Sequence, residues 1–251
     1  MFKVLFIIFL FLSSSNASPI IFNTAAQDSD PKYFLDEEDN MKGLCIDIMN
    51  AIESVDPEIK FQGQNVFLPF KRMSRMLKDG ELDVFFGFVK NETRKKDYVF
   101  IEPALYKVNH IVAVLKEDMV EVNSFDDIRR LGKDGKVMTT FGTSTKRYLD
   151  KQGGLIIYDH GKTITANLKM LLRSRGRFVY YHNLGLITSI KKNKLEDKIK
   201  VLPTSFREYS QYVAFSKHIS KEKIQKIKTA LEKLKINGQL DIIFNKYSQI
   251  Q

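Results

Sequence analysis

Cysteine is almost absent. The 251 residues contain only Cys45, so no internal disulfide can form. Stability must come from the core, and 43% hydrophobic content in a chain of this length supplies one. Cys45 falls with Ile48, Met49 and Ile52 at i, i+3, i+4 and i+7, one face of a helix, which marks it for packing. Histidine is also sparse. His110, His160, His182 and His218 stand singly, and none has metal-ligand spacing to another His or to Cys45. No G-x-S-x-G elbow occurs, and no G-x-G-x-x-G follows a strand. Gly161-Lys162-Thr163 ends like a phosphate-binding loop, but Ile156 stands where that loop needs its first glycine. No pair of acids is set apart for acid/base work. The expectation is no catalytic residue, no metal and no cofactor, which favours binding over catalysis.

Long apolar runs are missing after the first residues. Met1-Phe2-Lys3 is a short positive start, and residues 4–12 are an apolar run too short to span a bilayer comfortably. Small residues follow, with Ser15 and Ala17 where a signal peptidase reads. Residues 1–17 read as a cleaved secretory signal, and the mature chain as exported and soluble.

Charge is present but dispersed. Forty Lys and Arg face 30 Asp and Glu, a net charge of +10. Near the end the lysines alternate with Ile224, Ile227, Leu231 and Leu234, as in an amphipathic helix with a solvated basic face. No basic stretch is interleaved with aromatics in a stacking pattern, so nucleic acid is not expected as a partner. The charge reads as solubility and as attraction for anionic ligands.

The order of elements gives the fold class. Strands are expected at 19–24, 59–66 and 82–86, with helices at 43–54 and from Pro69 to the stop at Gly80. This β-α-β-α-β order predicts an α/β fold. The second half alternates again, with strands at 106–116, 136–140, 155–158, 178–181, 199–202 and 209–215. Ser124, Thr163 and Asn183 open helices between them. A long helix at 220–237 and a short one after Gly238 close the chain. Two α/β units are joined by extended strands near 105–108 and 208–213. Within the first unit, Arg94 stands in a polar turn just after the buried strand, where a guanidinium can grip a carboxylate through paired charge-assisted hydrogen bonds.

The segment 80–100 carries a resemblance. Phe70-Lys71-Arg72 is followed by Leu77-Lys78-Asp79-Gly80-Glu81-Leu82-Asp83-Val84, then Glu92-Thr93-Arg94 and Phe100-Ile101-Glu102-Pro103. Gly43-Leu44-Cys45-Ile46-Asp47-Ile48, the turn Gly142-Thr143-Ser144, and Leu234-Lys235-Ile236-Asn237-Gly238 with Ile243-Phe244-Asn245-Lys246-Tyr247 support it. In order and spacing these resemble the extracellular solute-binding proteins of family 3, which serve amino-acid ABC importers. The resemblance implies a two-lobed type II periplasmic-binding fold, each lobe a mainly parallel sheet flanked by helices, with two hinge strands. Lobe 1 would be 18–106 plus 213–251, and lobe 2 would be 107–212, closing on a ligand by hinge motion.

Carried over residue by residue, Arg94 falls on the arginine that holds the ligand carboxylate. Thr143 and Ser144 fall on the helix start that offers donors to the same anion. Gly87 and Phe88 fall on the segment lining the cleft, with Lys90 beyond. Tyr33, Tyr106, His182 and Asn183 complete the expected ligand-binding set. Two departures stand out. Gly87, Phe88 and Val89 replace the usual small hydroxyl residues. The strand ending 178–184 has no carboxylate where relatives hold an ammonium, and offers Tyr180, Tyr181 and His182 instead. The resemblance implies a monomeric, periplasmic, non-enzymatic receptor for a small carboxylate-bearing solute, delivering it to a membrane permease or a sensor. The alternatives are a dehydratase-like enzyme, with His182 or Glu92 as its acid, and a soluble sensory or accessory module with a degenerate site.

Overall fold

The computed structural model describes residues 18–141 and 143–248. The expected signal segment, 1–17, lies outside the described residues. The chain begins with β1 (Ile20–Asn23), a hairpin of β2 (Phe34–Leu35) and β3 (Met41–Lys42), α1 (Leu44–Val55), β4 (Ile59–Gln62) and α2 (Phe70–Asp79). Then come β5 (Val84–Val89), one helical turn α3 (Glu92–Lys95) and β6 (Tyr98–Phe100). The middle holds β7 (Tyr106–Leu115), α4 (Phe125–Arg130), β8 (Val137–Thr140), α5 (Ser144–Gln152), β9 (Ile157–Gly161), α6 (Ile164–Leu171), β10 (Phe178–His182), α7 (Asn183–Lys192) and β11 (Ile199–Val201). It closes with β12 (Arg207–Ser216), α8 (Lys221–Ile236) and α9 (Gln239–Ser248).

Local chemistry accounts for most boundaries. Pro69 precedes α2, where its missing N–H costs nothing, and Gly80 ends it at φ 83°, a left-handed cap. Cys45, Ile48, Met49 and Ile52 are all buried on α1, as their spacing predicts. The Ser124, Thr143, Thr163 and Ser220 side chains each accept a backbone N–H at a helix start. β4 stops at Gln62, shorter than its apolar pattern suggests, because Gly63 turns the chain at φ 89°.

The sheet pairing is more mixed than simple β-α alternation suggests. β1 pairs β4 in parallel, and β8 pairs β9 and β10 in parallel. The two ten-residue strands β7 and β12 run antiparallel to each other, from Arg207 opposite His110 to Gln211 opposite Tyr106. One carries the chain out of the first region and the other carries it back, so they must run in opposite directions. They link β5 on one side, antiparallel to β12, with β10 on the other, antiparallel to β7.

The core divides along these strands. One cluster gathers residues between Phe22 and Val108 with Leu184 and residues between Val213 and Ile243. Two smaller clusters lie within 111–202, on α6 and α7 in one case and around Ile128, Leu149 and Tyr180 in the other. Tyr106 and Val108 of β7 belong to the first cluster, while Ile111 to Val114 belong to the other two. Among the described residues no helix is long and apolar enough to cross a membrane.

Candidate functional site

β5 is apolar along its whole length because it is covered on both faces, and Val84 to Phe88 are buried. Its pairing with β12 slips between Tyr212 and Val213: Phe88 faces Tyr212 and Phe86 faces Val213, so Gly87 is the extra residue of a bulge. Gly87 has φ 78°. A Cβ there would lie 2.9 Å from Tyr106 Oη and 3.1 Å from Cys45 Sγ. Only glycine fits both the backbone conformation and the space.

The bulge aims the next turn. Asn91 Oδ1 accepts from Arg94 N at 2.9 Å and caps α3. The guanidinium then folds back over the strand end, where Nη1 donates to Val89 O at 2.9 Å. Its carbon sits 4.2 Å from the Phe88 ring centre and 5.3 Å from that of Phe70. Arg94 is half-buried, and burial pushes its pKa down from the ordinary value, while Tyr98 partly opposes the shift. It stays protonated. Among the described residues no carboxylate comes within 4.0 Å of it, whereas its neighbours are paired: Glu92 with Lys95, Asp97 with Lys78, and Glu102 with Lys90.

The structure sorts the other first-region residues. Phe88 is 1% exposed and serves as the platform under Arg94. Lys90 is neutralised by Glu102 at 2.7 Å and lies over the Tyr212 ring. Tyr33 has no exposed surface, and its hydroxyl donates to Phe86 O at 3.1 Å, so it is a core residue holding β5. Tyr106 is also buried, stacked on Phe244, with Oη 3.8 Å from Cys45 Sγ beneath the bulge.

Lys32, which the sequence reading passes over, belongs in this group. Its Cδ would lie 3.4 Å from a Cβ at Gly87, so its stem runs against the bulge. Its ammonium donates to Gln27 Oε1 at 3.3 Å. Lys32 is half-buried, its pKa lowered first by burial and also by the charge of Arg94. Gln27 and Phe70, the neighbours of the two cations, line one groove of about 310 Å³ with Asp28, Phe67, Leu68 and Pro69. In sequence Lys32 is one base among 40, and nothing in its spacing distinguishes it.

The facing residues come from β10, α7 and the β8–α5 turn. His182 caps α7, its Nδ1 accepting from Gly185 N at 3.1 Å. Burial first, then the charges of His110 and Lys32, push its pKa down to about 3. The ring is therefore neutral with its proton on Nε2, a donor. Asn183 Oδ1 accepts from Asn109 N at 3.3 Å and fastens α7 to β7. His110, 2% exposed, sits with Nδ1 3.1 Å from Tyr180 Oη and Nε2 3.4 Å from Tyr209 Oη. Burial and the nearby Arg207 push it down to about 4. Lys192 of α7 pairs with Asp30 and lies 5.3 Å from the Phe34 ring, tying the two sides together.

Thr143 is a helix cap. Its hydroxyl accepts from Lys146 N at 3.2 Å and donates to Thr140 O at 2.8 Å. Among the described residues no contact joins it to Arg94, and Gly142 and the Ser144 side chain lie outside them. The structure thus brings the Lys32 stem against Gly87 and sets Arg94 over Phe88, while among the described residues no hydrogen bond or ion pair joins either cation to His182 or Thr143. Among the described residues no group of three or more His, Cys, Asp or Glu could hold a metal ion.

Comparison with known proteins agrees with this geometry. The sequence matches the bacterial extracellular solute-binding proteins, family 3, over residues 23–250. Among solved structures, a probable amino-acid ABC transporter extracellular-binding protein, ytmK, from Bacillus subtilis aligns with a TM-score of 0.77 at 17% identity, over 92% of this chain and 98% of that one. An ancestral arginine-binding protein bound to arginine aligns at 0.64 and 22% identity, over 91% and 98%. A histidine kinase sensor domain similar to periplasmic binding proteins aligns at 0.64 and 20%, over 91% and 95%. At these identities the likeness is one of fold. No curated protein matches the chain.

Proposed function

The chain belongs to the bacterial extracellular solute-binding proteins of family 3, and from that premise we propose that it captures a small carboxylate-bearing solute between two lobes. The lobes are 18–106 with 213–251, and 107–212. The division of the core at β7 and β12 supports those boundaries. Hinge motion in the two strands closes the lobes on the solute. The closed form is handed to a membrane permease or read by a sensor. In this reading residues 1–17 direct the chain to the periplasm.

One observation carries the reading. Arg94 is half-buried, stacked over Phe88 and Phe70 and anchored by Val89 O, and no carboxylate among the described residues answers its charge. A guanidinium so held presents its remaining N–H donors to an incoming carboxylate. Desolvating such a cation without a partner is costly, and a bound anion relieves the cost. Binding needs no chemical step. Of the two acids nominated for a dehydratase, Glu92 is exposed and paired with Lys95, and His182 Nδ1 is occupied by Gly185 N.

The test is ligand-induced thermal stabilisation across a panel of carboxylates and amino acids. Wild type should be stabilised by at least one of them, and Arg94→Ala by none. Equal stabilisation of both proteins would sink the role given to Arg94.

A further inference from the structure

We propose that residues 107–212 carry a separate anion site, at the opposite end of their sheet from Thr143 and His182, that takes a phosphate group. This goes beyond the receptor reading and does not rest on it. The net charge is not shared along the chain. Residues 107–212 hold 20 Lys and Arg against 11 Asp and Glu, whereas 18–106 and 213–251 together hold 19 of each. All the positive excess of residues 18–251 therefore lies in the middle of the chain, where it draws anions.

Part of that excess converges on one open pocket of about 330 Å³. Lys133, Lys136, Arg175 and Arg177 line it, with Asp118 and Asp134 as its acids. Lys136 and Arg177 stand just before β8 and β10, and Thr140 and His182 end the same strands. Arg177 is separated from His182 by the length of β10, so the pocket lies roughly 15 Å from His182 at about 3.3 Å per residue. Arg177 Nε and Nη2 donate to Asp118 at 2.8 Å each, which fixes the guanidinium and leaves Nη1 out of both bonds. Among the described residues no carboxylate comes within 4.0 Å of Lys133, Lys136 or Arg175. Lys136 lies over the Tyr158 ring, and Lys133 and Arg175 are exposed. The exposed Asp134 offsets one of these charges.

The lining suits phosphate better than a single carboxylate. Four cations against two acids leave it a charge of +2, and a phosphate monoester carries about −1.5 to −2 at pH 7. Neutral donors stand among the cations: the Ser174 hydroxyl and the Gly176 N–H line the same pocket and have no acceptor among the described residues. A Cβ on Gly176 would lie 2.8 Å from Met138 Cγ, so this turn packs directly on β8 and its donors have a fixed place. Guanidinium, ammonium, hydroxyl and N–H groups together supply the several hydrogen bonds that the oxygens of a phosphate accept.

Binding should be measured by titration calorimetry with inorganic phosphate and glycerol 3-phosphate, and by flotation with phosphatidylcholine vesicles with and without phosphatidate. At least one free phosphate should bind wild type saturably, or the phosphatidate vesicles should recruit it. Binding of a free phosphate alone assigns the site to a soluble ion or ester, and recruitment to phosphatidate alone assigns it to a lipid headgroup. The double variant Lys133→Gln with Arg175→Gln should weaken the interaction roughly tenfold or more. Its melting temperature should be unchanged, since neither side chain has a hydrogen-bond or ion-pair partner among the described residues. Lys151→Gln with Lys162→Gln removes the same charge from exposed residues outside the pocket and should leave binding nearly unchanged. Equal weakening in both double variants, or none in the first, overturns the inference, as does absence of binding by every probe. Binding that survives the first double variant and is lost in Arg94→Ala belongs to Arg94, which overturns this inference and leaves the receptor reading standing.

Discussion

The two sides of the site handle burial in opposite ways. On the side built from β5, α3 and the turn before β2, Arg94 stays charged, and both it and Lys32, whose pKa burial lowers, are half-buried without carboxylate partners among the described residues. On the side built from β7, β10, α7 and β12, burial disfavours the charged forms of His110, Tyr180, Tyr181, His182 and Tyr209, and the Arg207 cation beside them is stacked on the Tyr148 and Tyr209 rings. There His110 finds partners in Tyr180 and Tyr209. Arg94 finds no counter-charge among the described residues. Part of its stabilisation is deferred to a bound anion, a common trade between stability and function.

The contrast breaks most severely at Arg94. Arg94→Ala should cost about 2–5 kcal/mol of binding free energy, as loss of a buried charge-paired contact does, read as loss of ligand-induced stabilisation. The next test is of what places the charge. Gly87→Ala would force a side chain into positive φ, at about 1–2 kcal/mol, and against Tyr106 Oη at 2.9 Å, at about 1–3 kcal/mol more. Urea unfolding should show the combined loss, and an unchanged midpoint would mean the bulge is not required.

Acid attacks the neutral side. An unfolded histidine takes a proton below its ordinary value of 6.5, while folded His110 takes one only near 4. The stability it supports is complete above that ordinary value and falls as pH drops through this window. The loss between pH 7 and pH 5 should be roughly 2 kcal/mol. Denaturant midpoints at the two pH values check this; His182, pushed down to about 3, loses a like amount over the same window, so His110→Gln should remove about half of the difference. The smallest effect concerns the contact between the sides. Lys192 and Asp30 are partly exposed, so Lys192→Ala should change stability by less than about 1 kcal/mol. Its signature should be faster solute release in stopped-flow, and an unchanged off-rate would show that the contact does not hold the closed form.

Much of the fold was legible in the sequence. The α1 face, the Pro69 start and Gly80 stop of α2, and the caps at Ser124 and Thr163 follow from local chemistry, which depends on neighbours in the chain. The antiparallel course of β7 and β12 was not legible, because strand direction is set by pairings about a hundred residues apart. The site was half legible. Arg94 stood out by its place after a buried strand. Lys32 did not, because its meaning comes from Gly87, Gln27 and Arg94 in space. Tyr33 misled for the converse reason: an aromatic near a cleft motif reads as a ligand contact, but burial and the Phe86 carbonyl make it core.

The central claim is that the charge of Arg94 waits for a solute carboxylate. Its most direct test is isothermal titration of wild type and Arg94→Ala, side by side, with the carboxylate and amino-acid panel. Saturable one-to-one binding of at least one carboxylate by wild type, with no measurable heat from Arg94→Ala, is the predicted result. Equal binding by both proteins, or binding by neither, would contradict it.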